Sequence, residues 1–163
     1  MSSLRRDIET TLSRAARDFP AVVLTGPRRA GKTFCLRRAF PRASYSLFED
    51  PDVIARFRAD PRGFLDALTL PAILDEIQNV PEVFAYVRAR IDAAPTTRGR
   101  WLLTGSQDFA LMQGASESMA GRAAILHLLP FAASEPGDCA VFLGGFPEVR
   151  ARPKSIELWM ASY

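Results

Sequence analysis

Gly26-Pro27-Arg28-Arg29-Ala30-Gly31-Lys32-Thr33 is an unbroken G-x-x-x-x-G-K-T, and its flanks give it meaning. The apolar run Ala21-Val22-Val23-Leu24 before it reads as a buried strand, and Phe34 to Phe40 after it is compatible with a helix. A glycine-rich turn between a strand end and a helix start lets successive backbone N–H groups wrap closely around phosphate oxygens. The spacing therefore predicts a loop for a nucleoside triphosphate, formed by all eight residues. Lys32 would reach the β- and γ-phosphates, and the Thr33 hydroxyl would ligate Mg²⁺. Of the 21 basic side chains only Lys32 and Lys154 are lysines. A chain this biased toward arginine has lysine where a slim ammonium fits a tight loop and a planar guanidinium does not.

A second segment points to the same chemistry. Ile73-Leu74-Asp75-Glu76 ends an apolar strand in two acids, at the end of a parallel sheet where ligands bind. Asp75 would share the Mg²⁺ with Thr33, leaving Glu76 to orient or deprotonate a water. Leu102-Leu103-Thr104-Gly105-Ser106 is a further strand ending in small polar residues. Ser106 there would sense the γ-phosphate, with Thr104 as the next candidate; a Ser106 cap on a helix starting at Gln107 is the competing reading. Arg122, after Gly121 and before the last apolar run, reads as an arginine finger or phosphate sensor, or else as a surface partner of Glu117. His127 has no ligand-spaced partner and reads as a packed core residue.

The bulk numbers are those of one water-soluble domain. The chain has 163 residues, 48% apolar and 24% charged, with a net charge of +3. Its charges are mixed, so a nucleic-acid partner, which calls for a one-sided basic patch, is not strongly indicated. Cys35 and Cys139 lie far apart without metal-ligand spacing and read as free thiols of a cytoplasmic protein. The longest apolar stretch, 123–133, is interrupted by His127 and Pro130 and is too short to span a membrane.

Strands alternate with helices along the chain. Helix is expected at 3–18, capped by Ser2-Ser3 and ended by Pro20, then strand at 21–25 and helix to 40. Ser44 to Phe48 is a strand, followed by short helices at 51–58 and 61–68, each opened by a proline. Strand at 72–76, a helix from Pro81, and strands at 100–104 and 122–129 complete an α/β pattern. It predicts a parallel sheet sandwiched by helices, the architecture of a P-loop NTPase. The expected organisation is an N-terminal helix (1–19), an ATPase core (20–135) and a shortened, truncated C-terminal segment (136–163). In that segment Ile156, Trp159, Met160 and Tyr163 share one face of an expected helix.

The ordered set 26–33, Leu-Asp-Glu-Ile-Gln-Asn-Val-Pro-Glu at 74–82, Trp-Leu-Leu-Thr-Gly-Ser at 101–106, Glu-Ser-Met-Ala-Gly-Arg at 117–122 and Gly-Gly-Phe-Pro-Glu at 144–148 resembles the AAA-like ATPases of the fourteenth AAA profile family. That group usually carries a C-terminal domain of unknown function. The resemblance implies an additional-strand (ASCE-like) P-loop fold, ATP with Mg²⁺ as cofactors, and Glu76 as the water-activating acid. It also implies that Ser106 is a sensor and that Arg122 faces the nucleotide, in its own subunit or in a neighbour's. Two departures from the family pattern are expected: only Ser134 to Leu143 remain between the Leu-Leu-Pro-Phe segment and Gly-Gly-Phe-Pro, and the usual C-terminal domain is expected to be missing. An ATP-hydrolysing protein is therefore expected, as a homo-oligomer or beside a missing C-terminal domain. A nucleotide-binding switch with little hydrolysis and a small-molecule kinase are the rival readings.

Overall fold

The structure, a computed structural model, describes residues 6–106, 118–131, 145–147 and 149. Five parallel strands form one sheet: β1 (Ala21–Thr25), β2 (Ser44–Leu47), β3 (Ala72–Asp75), β4 (Trp101–Gly105) and β5 (Ala123–His127). Their spatial order is β2-β3-β4-β1-β5. β4 is inserted between the strand that feeds the glycine-rich loop and the strand that ends in Asp75, so this is the additional-strand P-loop fold that the resemblance implied. The helices are α1 (Ile8–Asp18), α2 (Lys32–Ala39), α3 (Pro51–Ala59), α4 (Pro61–Asp66) and α5 (Val83–Ala93), with a 3₁₀ turn at Ile77–Asn79.

Parallel pairing buries both faces, and alternate side chains of each central strand serve different layers. Val22, Leu24, Ile73 and Leu102 pack against Leu12, Ala16 and Leu36 of α1 and α2. Val23, Leu74 and Leu103 turn to the other face, against Phe48, Phe57, Val83 and Val87. The prolines at 51 and 61 open α3 and α4 as expected. Their caps are Asp50, which accepts from the Asp52 N–H, and Asp60, which accepts from the Gly63 N–H, both at 2.9 Å.

Two expectations are revised. α1 begins at Ile8, although 3–18 was expected. Arg6 is pulled out of helical continuation because its guanidinium donates to the carbonyls of Ala30 (3.0 Å) and Leu129 (2.6 Å), while its N–H is taken by Glu9. His127 is exposed and is not a core residue. β5 is one of the two outer strands among the described residues, and its last residue pairs through Nδ1 with the Thr25 hydroxyl at 2.6 Å. The Ser2-Ser3 cap, Cys139 and the C-terminal helix lie outside the described residues; Cys35 is buried.

The α3–α5 layer is fastened by aromatic rings. Phe57 meets Phe48, Phe64 and Tyr86 edge-on at centroid distances of 5.4–5.8 Å. Phe57→Ala removes the ring common to all three pairs and is expected to cost about 3–5 kcal/mol. Chemical denaturation of the two proteins would measure it, and a loss below about 1 kcal/mol would show that the layer does not rest on this ring.

Candidate functional site

The glycine-rich loop leaves β1 with Gly26 at φ 151° and enters α2 through Gly31 at φ 92°, both in the region glycine tolerates best. Gly26 also has no room for a side chain, since a Cβ there would lie 2.1 Å from the Leu128 carbonyl oxygen. The loop is thereby wrapped against the exit of β5, with α2 starting at Lys32. The Lys32 ammonium is buried and donates to the carbonyls of Gly26 (3.0 Å) and Pro27 (2.9 Å). Burial pushes its pKa below the usual lysine value, and the charges of Glu76 and Asp75 work in the opposite direction. Arg28 and Arg29 are exposed on the outside of the loop.

Asp75 ends β3 with 1% of its surface exposed. Its Oδ2 accepts from the Thr33 hydroxyl and from the Tyr45 phenol, each at 2.7 Å. Its Oδ1 accepts from the Thr104 hydroxyl. Thr104, wholly buried, also accepts the Glu76 N–H at 3.3 Å. The paired Thr33 and Asp75 oxygens are hard donors of the kind Mg²⁺ takes. Among the described residues no group of three His, Cys, Asp or Glu side chains could hold a metal by itself. The pair therefore suits a cation that brings phosphate oxygens as further ligands, and in that sense the residues present fit Mg²⁺.

Glu76 leaves β3 in the left-handed region at φ 57°. Its Oε2 accepts from Gln78 Nε2 at 2.5 Å, and Gln78 Oε1 accepts the Ser106 N–H at 3.2 Å. The predicted residues of the loop, Asp75, Glu76 and Ser106 thus gather at the C-terminal end of the sheet.

Arg122 does not join them within its own chain. Its carbonyl accepts from the N–H of Ala21, the first residue of β1, whereas the loop follows the last. The length of a strand, about 13 Å, separates the two ends. There the Arg122 guanidinium forms a two-point pair with Asp92, at 2.6 and 3.2 Å, and holds the Asp92 carboxyl below its ordinary pKa. The pair borders a shallow surface cavity of about 340 Å³ with Phe19, Pro20 and Arg98. Glu117, the alternative partner, lies outside the described residues.

Sequence reasoning missed Tyr45, Gln78 and Arg6. Burial and the bond to Asp75 push the Tyr45 phenol well above its ordinary pKa, and the Arg37 guanidinium lies 5.0 Å from its ring centroid. The missing signal was strand order: only once β2 is known to lie beside β3 does a tyrosine in a serine-flanked strand become a neighbour of Asp75. Gln78 sat two residues beyond the acids with nothing to mark its amide.

The inserted strand, the glycine-rich loop and the acidic strand end define a P-loop NTPase domain of the AAA class. The model of the AAA domain family matches residues 18–136, and the chain belongs to that family. Over 148 residues it is 35% identical to the uncharacterized protein Rv2008c of Mycobacterium tuberculosis, and equally to Mb2031c of Mycobacterium bovis. The match takes in 88% of this chain and 33% of each relative, so the chain spans about a third of their length. Among solved structures, the Walker-type ATPase PABY2304 of Pyrococcus abyssi superposes with a TM-score of 0.53 at 16% identity, over 80% of this chain and 55% of that one. AMPPCP-bound DnaA from Aquifex aeolicus gives 0.52 at 12% identity, over 91% and 50%. These two likenesses bear on the fold.

Thr104 joins two parts of the site, which makes it testable apart from any activity. Thr104→Val keeps the shape but leaves the Glu76 N–H and one Asp75 oxygen without this partner. A loss of about 1–3 kcal/mol is expected on urea denaturation. Unchanged stability would mean that these groups find other partners.

Proposed function

We propose that the domain binds ATP together with Mg²⁺ and hydrolyses it. The observation that carries this reading is the meeting of the Thr33 hydroxyl and the Asp75 carboxylate at 2.7 Å, beside a buried Lys32 ammonium. That combination of a hard-oxygen pair and an enclosed cation matches a metal-bound polyphosphate. The N–H groups of the 26–33 loop and the start of α2 would hold the phosphates. Lys32 would exchange its two carbonyl partners for β- and γ-phosphate oxygens, contacts of the stronger, charge-assisted kind. Thr33 and Asp75 would hold Mg²⁺, which when bound offsets the phosphate charge. Glu76 would orient a water and take its proton, while Ser106, tied to Glu76 through Gln78, would respond to the γ-phosphate. The choice of ATP follows the family and is supported by the AMPPCP carried by a DnaA of the same fold. We place the protein in the cytoplasm, as two cysteines far apart in the sequence without metal-ligand spacing suggest. No helix among the described residues is long and apolar enough to cross a membrane.

The test separates binding from chemistry. Lys32→Ala is expected to lose ATP binding at micromolar concentrations in calorimetry, since a charge-assisted phosphate contact is worth about 1.5–3 kcal/mol. Glu76→Gln should still bind Mg-ATP but turn it over on the order of a hundredfold more slowly. Asp75→Asn should weaken the Mg²⁺-dependent part of the affinity. Equal behaviour of the two acidic variants would refute this division of roles, and unaltered affinity in folded Lys32→Ala would refute the site.

Within its own chain Arg122 has no part in this reading, because it lies at the opposite end of the sheet. Arg122→Ala is expected to bind and hydrolyse ATP as the parent does at dilutions where the chain is monomeric. A large fall in rate under those conditions would show that the arginine reaches the nucleotide after all.

A further inference from the structure

Gln78 has both ends of its side-chain amide engaged by groups of different elements. Nε2 donates to Glu76 Oε2 at 2.5 Å, and Oε1 accepts the main-chain N–H of Ser106 at 3.2 Å. The two contacts fix the amide's orientation. Turned over, it would set an N–H against an N–H and an oxygen against a carboxylate. The 3₁₀ turn that carries Gln78 is itself anchored: the Asn79 N–H returns to the Glu76 carbonyl at 3.2 Å, and Asn79 Nδ2 donates to the Phe48 carbonyl at 2.9 Å. Ile77, between Glu76 and Gln78, is wholly buried in the core. Gln78 is therefore held from below by packing and presents its amide upward between β3 and β4.

A carboxylate at the end of three rotatable bonds samples many directions unless something holds it, and fixing it costs entropy. The side-chain clasp makes that restriction part of the fold. It keeps the Glu76 carboxylate on the loop side, where its charge is the foremost one favouring the protonated form of Lys32.

We propose that Gln78 is a positioning residue for the reaction. It aims Glu76 at the attacking water and couples it to the end of β4, so that a shift of Ser106 moves the acid. This rests on the ATPase reading above, in which Glu76 is the water-activating group. Misplacement of a reacting group by about 1 Å can cost on the order of a hundredfold in rate, so the effect belongs in kcat.

Gln78→Glu and Gln78→Ala discriminate the possibilities. Glutamate keeps the acceptor for the Ser106 N–H but replaces the donor to Glu76 with a like charge; alanine removes both contacts. Both variants are expected to lower kcat by about ten- to a hundredfold while KM for Mg-ATP stays within about threefold. In the Glu76→Gln background neither should lower kcat further, because groups that act through one another are not additive. Parental kcat in Gln78→Glu, or losses that multiply in the double variants, would overturn the proposal. Glu76→Gln alone separates the two readings. If it hydrolyses ATP like the parent, the assignment of Glu76 as the water-activating acid fails; if it is slow while Gln78→Glu is not, only the clasp fails. A second readout does not need turnover. In ¹⁵N-labelled protein the Gln78 side-chain amide, assigned with Gln78→Ala, should shift when Glu76→Gln replaces its charged acceptor. An amide resonance indifferent to that change would overturn the proposal by itself.

Discussion

The Asp75 carboxylate is the constraint on which the site hangs. It is buried at the end of a central strand, and a buried charge is costly unless its oxygens are taken up by donors. Here the donors are hydroxyls from three different elements: Thr33 on α2, Tyr45 on β2 and Thr104 on β4. Each ties its element to β3. The bond from Thr33 matters most for function, because it fixes where α2 begins and hence how the loop before it is stretched. Hydroxyl donors satisfy geometry without cancelling charge. The carboxylate so held keeps its attraction for a cation, and the nearby Lys32 ammonium, whose charge it favours, gives its hydrogen bonds to the loop's own carbonyls.

The sheet and the phosphate loop were legible because they rest on local signals. Apolar runs of strand length, prolines in first helical turns and a glycine pattern of fixed spacing each state a backbone preference without reference to the rest of the chain. Arg122 shows what such reading leaves open. A residue just before a parallel strand lies at the strand's N-terminal end, while ligands gather at the C-terminal ends. Its place ahead of β5 sets it away from the loop of its own chain, and the sequence expectation had allowed a neighbour's nucleotide as well. His127 was misread. An apolar strand is expected to be covered on both faces, but β5 is an edge and its last residue is open. Tyr45 and Gln78 were illegible because their roles come from strand order and from a side-chain amide direction, neither of which has periodicity.

Two residues other than glycine have positive φ among those described, Arg29 at 59° and Glu76 at 57°, and both belong to the site. Such conformations cost about 1–3 kcal/mol each and persist where surrounding contacts enforce them. For Glu76 the enforcement is visible: its N–H is held by Thr104, its carbonyl by Asn79 and its carboxylate by Gln78.

The strain has a geometric purpose. Successive side chains of an extended strand point to opposite faces, so two adjacent acids continuing β3 would serve opposite sides of the sheet. The left-handed step after Asp75 breaks that alternation. Asp75 keeps its strand position, buried among hydroxyls, while Glu76 swings over the end of the sheet to where its charge is felt by Lys32. A glycine would take this turn with less strain but would bring no carboxylate. The conformational cost is therefore inseparable from having a buried, hydroxyl-held acid and an acid turned toward the loop side by side in the chain. The hydrogen bonds converging on residue 76 hold a conformation that the residue's own preference disfavours.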